Sequence, residues 1–326
     1  MHILVTGGAG FIGSTYVRRL LTGGLGTDVS GVTVLDKLTY AGNLENLAPV
    51  SGDSRLRFVH GDIADRELVP QLLSEADAVV NFAAESHVDR SIGDSTEFIR
   101  TNVLGTHNLL RAALQQGLPR FLQVSTDEVY GSIAEGSWTE ESPLEPNSPY
   151  AAAKASADLL VRSYARTHGL NASITRCGNN YGPYQFPEKL VPAFVTALLR
   201  GGTVPLYGDG LNVRDWLHVD DHCRGIQLVL DRGAPGEVYH IGGGRELSNR
   251  EVTGMLLRTL GRDWSSVRPV ADRKGHDRRY SLDDAKLRGL GYRPRVGFEE
   301  GLRQTIAWYR ENPSWWRPLL DPGEQA

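Results

Sequence analysis

The sequence predicts an α/β protein: a doubly wound parallel sheet followed by a smaller α/β domain. Three observations predict it. Short, continuous aliphatic runs alternate with longer helix-like segments through the first half, the texture of strands buried on both faces. A glycine-rich turn follows directly on the first run. At 326 residues the chain has room for two domains of roughly 100–200 residues each. Right-handed crossovers then turn successive strand–helix–strand units into a sheet covered on both sides.

Taken in order, Ile3-Leu4-Val5 is the first strand, and a helix over 14–21 follows the glycines. Runs at 32–35, 56–59, 78–82 and 121–124 are the next strands, with helical patterns at 66–74, 96–116 and 150–168. Beyond about Cys177, glycine, proline and aromatic residues become dense as far as Trp216, with helices only at 192–199 and 220–230. A strand at 237–241 and a helix at 249–260 come after. The expected division is a nucleotide-binding domain over 1–178, rejoined by the chain at about 218–242, and a second domain made mainly of 179–326.

Composition narrows the function. Thirty-five Lys and Arg against 39 Asp and Glu give a net charge of −4, which excludes the strongly basic footprint of a generic nucleic-acid binder. No apolar stretch approaches the ~20 residues that span a bilayer, so no membrane partner is expected. The start Met-His-Ile-Leu-Val lacks the charged region, apolar run and cleavage site of a secretory leader; the expected location is the cytoplasm. Cys177 and Cys223 stand in no framework spacing and are expected as reduced thiols. No metal is expected.

Gly7-Gly8-Ala9-Gly10-Phe11-Ile12-Gly13 lies where strand one meets helix one. Glycines there allow a tight turn, close approach of the backbone to a pyrophosphate and close helix–sheet packing. The amino terminus of the helix, at Phe11 and Ile12, offers free N–H groups and partial positive charge to phosphate. This is the pattern of an NAD-binding Rossmann fold, with Gly7, Gly10 and Gly13 spaced one residue off its commonest form. Asp36 closes the second strand about twenty residues on, where an acid grips ribose hydroxyls and repels a 2′-phosphate, favouring NAD over NADP. Lys37 softens that preference, and Thr39 is a further candidate contact. Asp62, followed by Ile63, ends the third strand, where it serves either as a partner for the adenine amino group or as a turn cap.

Tyr150-Ala-Ala-Ala-Lys154 places a phenol and an ammonium on one helix face. Close approach of the ammonium is expected to favour phenolate, making Tyr150 a base toward an alcohol. Val124-Ser125-Thr126-Asp127-Glu128 ends the fifth strand, so its polar residues point into the crevice where doubly wound sheets bind ligands. Together, Gly7–Gly13, Thr126, Tyr150 and Lys154 resemble the extended short-chain dehydrogenase/reductase family, most of whose members act on nucleotide sugars. The resemblance runs from Ile3 to about Trp316. Asp127 and Glu128 are its most specific element and narrow it to members that dehydrate a hexose, since the sugar epimerases typically carry small neutral residues there.

The resemblance implies a sequence of steps on dTDP-glucose. Tyr150 takes the C4 hydroxyl proton while Thr126 holds the same oxygen, and NAD takes the hydride. Lys154 reaches the nicotinamide ribose. Glu128, ionised, abstracts the C5 proton, now beside a ketone, and protonated Asp127 donates to the leaving C6 hydroxyl. The hydride returns to C6. Two adjacent carboxyls need different environments for those opposite roles. The resemblance also places Ala83, Ala84, Thr101 and Asn180 at the cofactor, and Ser86 between cofactor and sugar with His87. Asn179, Lys189, Leu190, Pro205, Tyr207, Arg214, Asn249, Arg273 and His276 are expected at the sugar nucleotide. Arginines suit phosphate oxygens in bidentate fashion, and Lys274 stands where the family usually has proline. A homodimer through helices 96–116 and 150–168 is implied as well. Alternatives remain a nucleotide-sugar epimerase, a dehydratase with another base, or an NAD-sensing protein without catalysis.

Overall fold

The computed structural model describes residues 1–272 and 275–320. The aliphatic runs become seven parallel strands: β1 (His2–Thr6), β2 (Gly31–Asp36), β3 (Leu56–His60), β4 (Ala78–Asn81), β5 (Arg120–Thr126), β6 (Ala172–Cys177) and, much later, β10 (Val238–Ile241). Their order across the sheet is β10-β6-β5-β4-β1-β2-β3. The chain builds outward from β1 to β3, then returns to the other side of β1 with β4. That reversal opens a crevice at the carboxyl ends of β1 and β4, the place where such sheets bind ligands.

Helices cover both faces, as strands that are apolar on both sides require. On one face, α1 (Phe11–Leu21) packs against α8 (Val219–Arg232) through Tyr16, Val17, Leu20, Ile226 and Leu230. The Tyr16 hydroxyl donates to Gln227 Oε1 at 2.6 Å. On the other face lie α2 (Leu68–Leu73), α5 (Thr106–Gln116) and α6 (Pro149–His168), with Leu72, Leu109, Leu110 and Val161 in the core. Short helices α3 (Val88–Gly93) and α4 (Thr96–Phe98) precede α5.

The second region has its own core of Phe194, Val195, Trp216, Leu256, Phe298, Ile306 and Tyr309. It contains α7 (Leu190–Leu199), α9 (Asn249–Thr259) and α11 (Phe298–Glu311), with the short α10 (Ala285–Gly289) beside β10. A three-stranded sheet joins β7 (Asn179–Tyr181), β9 (Val213–His218) and β11 (Glu246–Ser248), and a two-stranded one joins β8 (Val204–Tyr207) to β12 (Val267–Val270). Between these, α8 and β10 rejoin the main sheet, where β10 pairs with β6.

Several elements differ from the sequence expectation, and three of them bear on the crevice and its supports. The helix expected over 96–116 is interrupted by a π-helical stretch, Ile99–Gly105. Such widened turns occur most often at functional sites. Here the stretch turns Asn102 inward, where its amide accepts from Glu85 N (2.9 Å) and donates to Glu85 O (3.0 Å). Helix α2 starts two residues late because Asp65 accepts the N–H groups of Glu67 and Leu68. Strand β6 went unassigned because Ser173, Thr175 and Arg176 break up its apolar pattern, although all three are buried.

Arg176 explains that exception. It is fully buried and its Nε lies 2.9 Å from the equally buried Asp158 of α6. Asp158 also accepts from Ser125 Oγ at 3.0 Å, and Arg176 donates to the Tyr130 hydroxyl at 2.6 Å. The pair therefore ties α6, β5 and β6 together behind the crevice. Removing one buried partner leaves an uncompensated charge, so Asp158→Ala should lower unfolding free energy by roughly 3–5 kcal/mol. The double variant Asp158→Leu/Arg176→Met should lose much less; urea denaturation of both reads the difference.

Among the described residues no helix is long and apolar enough to cross a membrane, and Cys177 and Cys223 are both buried free thiols.

Candidate active site

The glycine turn is shaped by close backbone approach. Gly7 has φ +67°, and a Cβ there would meet Ala83 N at 2.6 Å across the crevice; one on Gly13 would meet Gly7 O at 2.3 Å. Only glycine suits such positions. Helix α1 begins after Gly10 with no side chain capping it, leaving the N–H groups of its first turn, at Phe11 and Ile12, for an anion. The adjoining cleft is lined by Gly7, Asp36, Lys37, Thr39, Asp62, Ile63, Ala83, Ala84 and Thr101 among others. Nine of the sequence-predicted cofactor residues are thus gathered in one cleft.

The acids of this cleft hold it together as well as face it. Asp36 accepts from Ala9 N (2.9 Å) and Leu38 N (2.8 Å). Burial raises its carboxyl above the ordinary range, opposed by those two bonds. Lys37 lies 3.0 Å from Asp62 and 3.6 Å from Glu97, so its charge is balanced locally rather than offered to a 2′-phosphate. Asp62 also accepts from Ala64 N at 2.9 Å, which makes it a turn cap with one oxygen toward the cleft side.

At the end of β5, Thr126 caps the following 3-10 turn. Its hydroxyl accepts from Glu128 N (3.3 Å) and donates to Asp127 Oδ1 (3.2 Å). Asp127 is 2% exposed, and its Oδ2 has no hydrogen-bond partner. Burial, then the neighbouring Glu128 charge, raise the Asp127 carboxyl far above the usual range, with Arg214 opposing. Glu128 is half-buried and raises both Tyr150 and Tyr280 electrostatically. It is thus close enough to both phenols to act on each. Adjacent carboxyls occupy the unlike environments that opposite proton-transfer roles require.

Ser148 and Pro149 open α6, with Ser148 Oγ accepting from Ala151 N at 3.1 Å. That places Tyr150 at the crevice, buried, with the Thr126 side chain lowering its phenol slightly. Burial and the charges of Glu128, Cys177 and Asp127 push the phenol well up, so the expected lowering by Lys154 does not dominate. The ammonium instead donates to Val124 O at 2.7 Å, and burial lowers its pKa against the pull of Asp158 and Cys177.

From the second region, the buried Arg214 donates to Asp277 O at 2.9 Å and lies 4.1 Å above the Tyr280 ring. Asp277 in turn accepts from Tyr280 (2.6 Å) and Asn147 (2.6 Å). Nothing in the spacing of Asn147, Asp277 and Tyr280 announces that network. The Asn180 amide has partners inside the protein, donating to Cys177 Sγ (3.3 Å) and Gly178 O (3.1 Å) and facing His222 Nδ1 at 2.9 Å. Any Asn180 contact with a cofactor must therefore be shared with these partners. His222, held neutral by burial with a pKa of about 3, escaped the sequence reading because it sits inside an ordinary helical pattern.

His87 caps α3 by accepting from Arg90 N at 3.3 Å, and burial lowers its pKa. Lys189 donates to Ser86 O at 3.0 Å, and Leu190 opens α7. Asn179 lies on β7 beside Trp216. Pro205 and Tyr207 lie on β8, with Tyr207 exposed. Asn249 begins α9, and His276 Nδ1 is 2.6 Å from Asp272. Arg273 and Lys274 lie outside the described residues.

A crevice with a glycine-turn anion cradle at one end and a phenol, a hydroxyl and two unlike carboxyls at the other defines a dinucleotide-dependent enzyme acting on an alcohol. The family model described as GDP-mannose 4,6 dehydratase matches residues 4–305, and the chain belongs to that family. It is 64% identical to the dTDP-glucose 4,6-dehydratase of Streptomyces antibioticus over 98% of this chain and 95% of that protein. The crystal structure of DesIV, the dTDP-glucose 4,6-dehydratase of Streptomyces venezuelae, with NAD and TYD bound, superposes with a TM-score of 0.97 at 66% identity, covering 98% of this chain and 100% of that one. UDP-glucose 4-epimerase of Thermotoga maritima, with UDP-glucose, stands further off, with a TM-score of 0.88 at 34% identity over 96% of this chain and 100% of that one.

The Asp127 environment has a measurable consequence. In the unfolded chain its carboxyl ionises near ~3.9, whereas the folded value is raised. Its stabilising contribution is thus full below the unfolded value and is lost as pH climbs toward the folded one. Asp127→Asn removes that dependence. Its stability relative to the parent should rise steadily between about pH 4 and neutrality, read from urea midpoints; a constant difference would refute a protonated buried Asp127.

Proposed function

We propose that this protein is a hydro-lyase that converts dTDP-glucose to dTDP-4-keto-6-deoxyglucose with resident NAD. The near-complete coverage by dTDP-glucose 4,6-dehydratases supports it. The observation that carries it is the buried Asp127, with one oxygen unpartnered, set directly before the half-buried Glu128 at the end of β5. The cradle fits NAD: a Cβ on Gly7 or Gly13 would fill it, α1 starts uncapped, and Asp36 and Asp62 line the adjoining cleft.

NAD, when bound, supplies reversible two-electron chemistry at C4 and C6. The chain's own residues move the protons. Tyr150, with Thr126 on the same oxygen, takes the proton of the C4 hydroxyl; its phenol needs positive charge nearby to do so, since burial and then the surrounding acids raise it. Lys154 supplies part of that charge. Once C4 is a carbonyl, the C5 proton is acidic enough for Glu128 to remove. Asp127 then delivers its retained proton to the departing C6 hydroxyl. Arg214, from the second region, faces the same pocket and suits the substrate's diphosphate. An epimerase has no need of an acid–base pair beyond the tyrosine, so Asp127 and Glu128 favour dehydration. A protein that only senses NAD needs none of them.

The same reading makes the chain a homodimer. Ile99 (50% exposed), Leu104 (56%) and Leu159 (55%) stand open on the 96–116 and α6 faces, and exposed apolar side chains gathered on one face mark an interface. Its place is the cytoplasm, where buried free thiols stay reduced.

Incubation with the dTDP, UDP and CDP forms of glucose should give a 4-keto sugar, seen as absorbance in alkali, with the first. Absence of turnover with all three despite bound NAD would point to a sensor. Glu128→Gln should block elimination and abolish deuterium incorporation at C5 in heavy water; normal turnover in that variant would remove Glu128 as the base. Leu104→Asp/Leu159→Asp should yield monomers by light scattering, and an unchanged mass would reject this face as the interface.

A further inference from the structure

We propose that Glu188 is the latch that retains the dinucleotide, binding the 182–189 segment to both loops that flank the cleft. The inference rests on the NAD reading above. The segment leaves β7 and runs over the crevice, anchored at both ends. At one end Tyr184 (φ +67°) lies under the Arg18 guanidinium of α1 at 4.0 Å and against Trp308 at 4.4 Å. At the other end Phe186 meets the Tyr40 ring edge-on at 5.7 Å, and Glu188 follows.

The Glu188 side chain is 12% exposed and is shared by three parts of the chain. Its Oε1 accepts from the Tyr40 hydroxyl at 3.2 Å and lies 3.5 Å from Lys189 Nζ. Its Oε2 lies 3.7 Å from His87 Nε2 and 3.9 Å from Arg90 Nη2. The Arg90 guanidinium also covers the Tyr40 ring at 3.7 Å, and Lys189 holds Ser86 O. Tyr40 adjoins Thr39, and Ser86 adjoins Glu85, both in the cleft wall. One carboxylate thus joins the loop after β2, the loop after β4 and the segment over the crevice.

The contacts suit a closure that holds yet opens. There is one hydrogen bond and a set of longer charge contacts, two of them to side chains that are 53% and 37% exposed, and such surface pairs are individually weak. The chemistry rewards retention. The reaction restores NAD to its starting state, so no turnover requires release, and release midway strands a ketone.

A latch and a mere charge differ in sign. Glu188 is an anion near an anionic cofactor, so if it acted by charge alone, neutralising it would slow NAD release; a latch predicts faster release. The test loads radiolabelled NAD, chases with unlabelled NAD and follows bound label on spin columns. Glu188→Gln removes the charge contacts, and Tyr40→Phe removes the hydrogen bond without changing charge. Each should release label about tenfold faster, the scale of a bond to a charged group. Release within about twofold of the parent in Tyr40→Phe, or slower release in Glu188→Gln, overturns the latch. Should Glu188→Gln fail to fold by circular dichroism, Tyr40→Phe decides alone. A parent chain that cannot be loaded with NAD refutes the underlying functional reading instead.

Discussion

Everything at the catalytic end depends on two neighbouring carboxyls being kept unlike. Residues adjacent in sequence normally share a solvent environment, and two acids in one pocket repel each other's ionisation. The 3-10 turn that follows β5 breaks that symmetry by sending Asp127 into the protein and Glu128 toward the crevice. Thr126 sets the turn with its hydroxyl, bonding to both successors at once. Burial first and the adjacent Glu128 charge second, both set by this backbone geometry, raise the Asp127 carboxyl. The parallel sheet provides the rigid strand end that makes so small a turn reproducible.

Behind this front lies a second polar layer. Asp158, Arg176, Ser125, Tyr130 and His240 form a continuous buried chain, the last link being the 2.6 Å contact of the Tyr130 hydroxyl with His240 Nε2. Buried polar networks bind the elements that carry them, although Asp158 Oδ1 and Arg176 Nη2 have no hydrogen-bond partner here. Here the network fixes the helix bearing Tyr150 and Lys154 relative to the strand bearing Thr126. The crevice is therefore bounded on one side by tightly specified elements and on the other by loops pinned through longer contacts.

Much of this was legible in the sequence, for identifiable reasons. The period and continuity of the apolar runs exposed β1 to β5, and the glycine spacing exposed the cradle, because both follow from local geometry. The acid pair was visible because it followed a strand directly. What escaped notice was created by tertiary contact. Strand β6 hid behind polar residues whose partners, Asp158, Tyr130 and Ala234 O, come from distant parts of the chain, and the π-helical stretch accompanies Asn102 reaching the Glu85 backbone. The state of Tyr150 also resisted sequence reading: a helix face shows that Lys154 is near, but not that Val124 holds its ammonium. Asn180 stood at a recognisable position, yet its engagement with His222 depends on a helix some forty residues later.

The late arrival of β10 has a consequence for how the chain is made. As the ribosome delivers residues in order, the sheet stands one strand short, with β6 at a bare edge, until residue 241 has emerged. A naked parallel edge invites pairing with another chain. Synthesis that stalls between β6 and β10 would thus leave an aggregation-prone intermediate, and a gene severed in that interval would not produce a self-sufficient amino-terminal half.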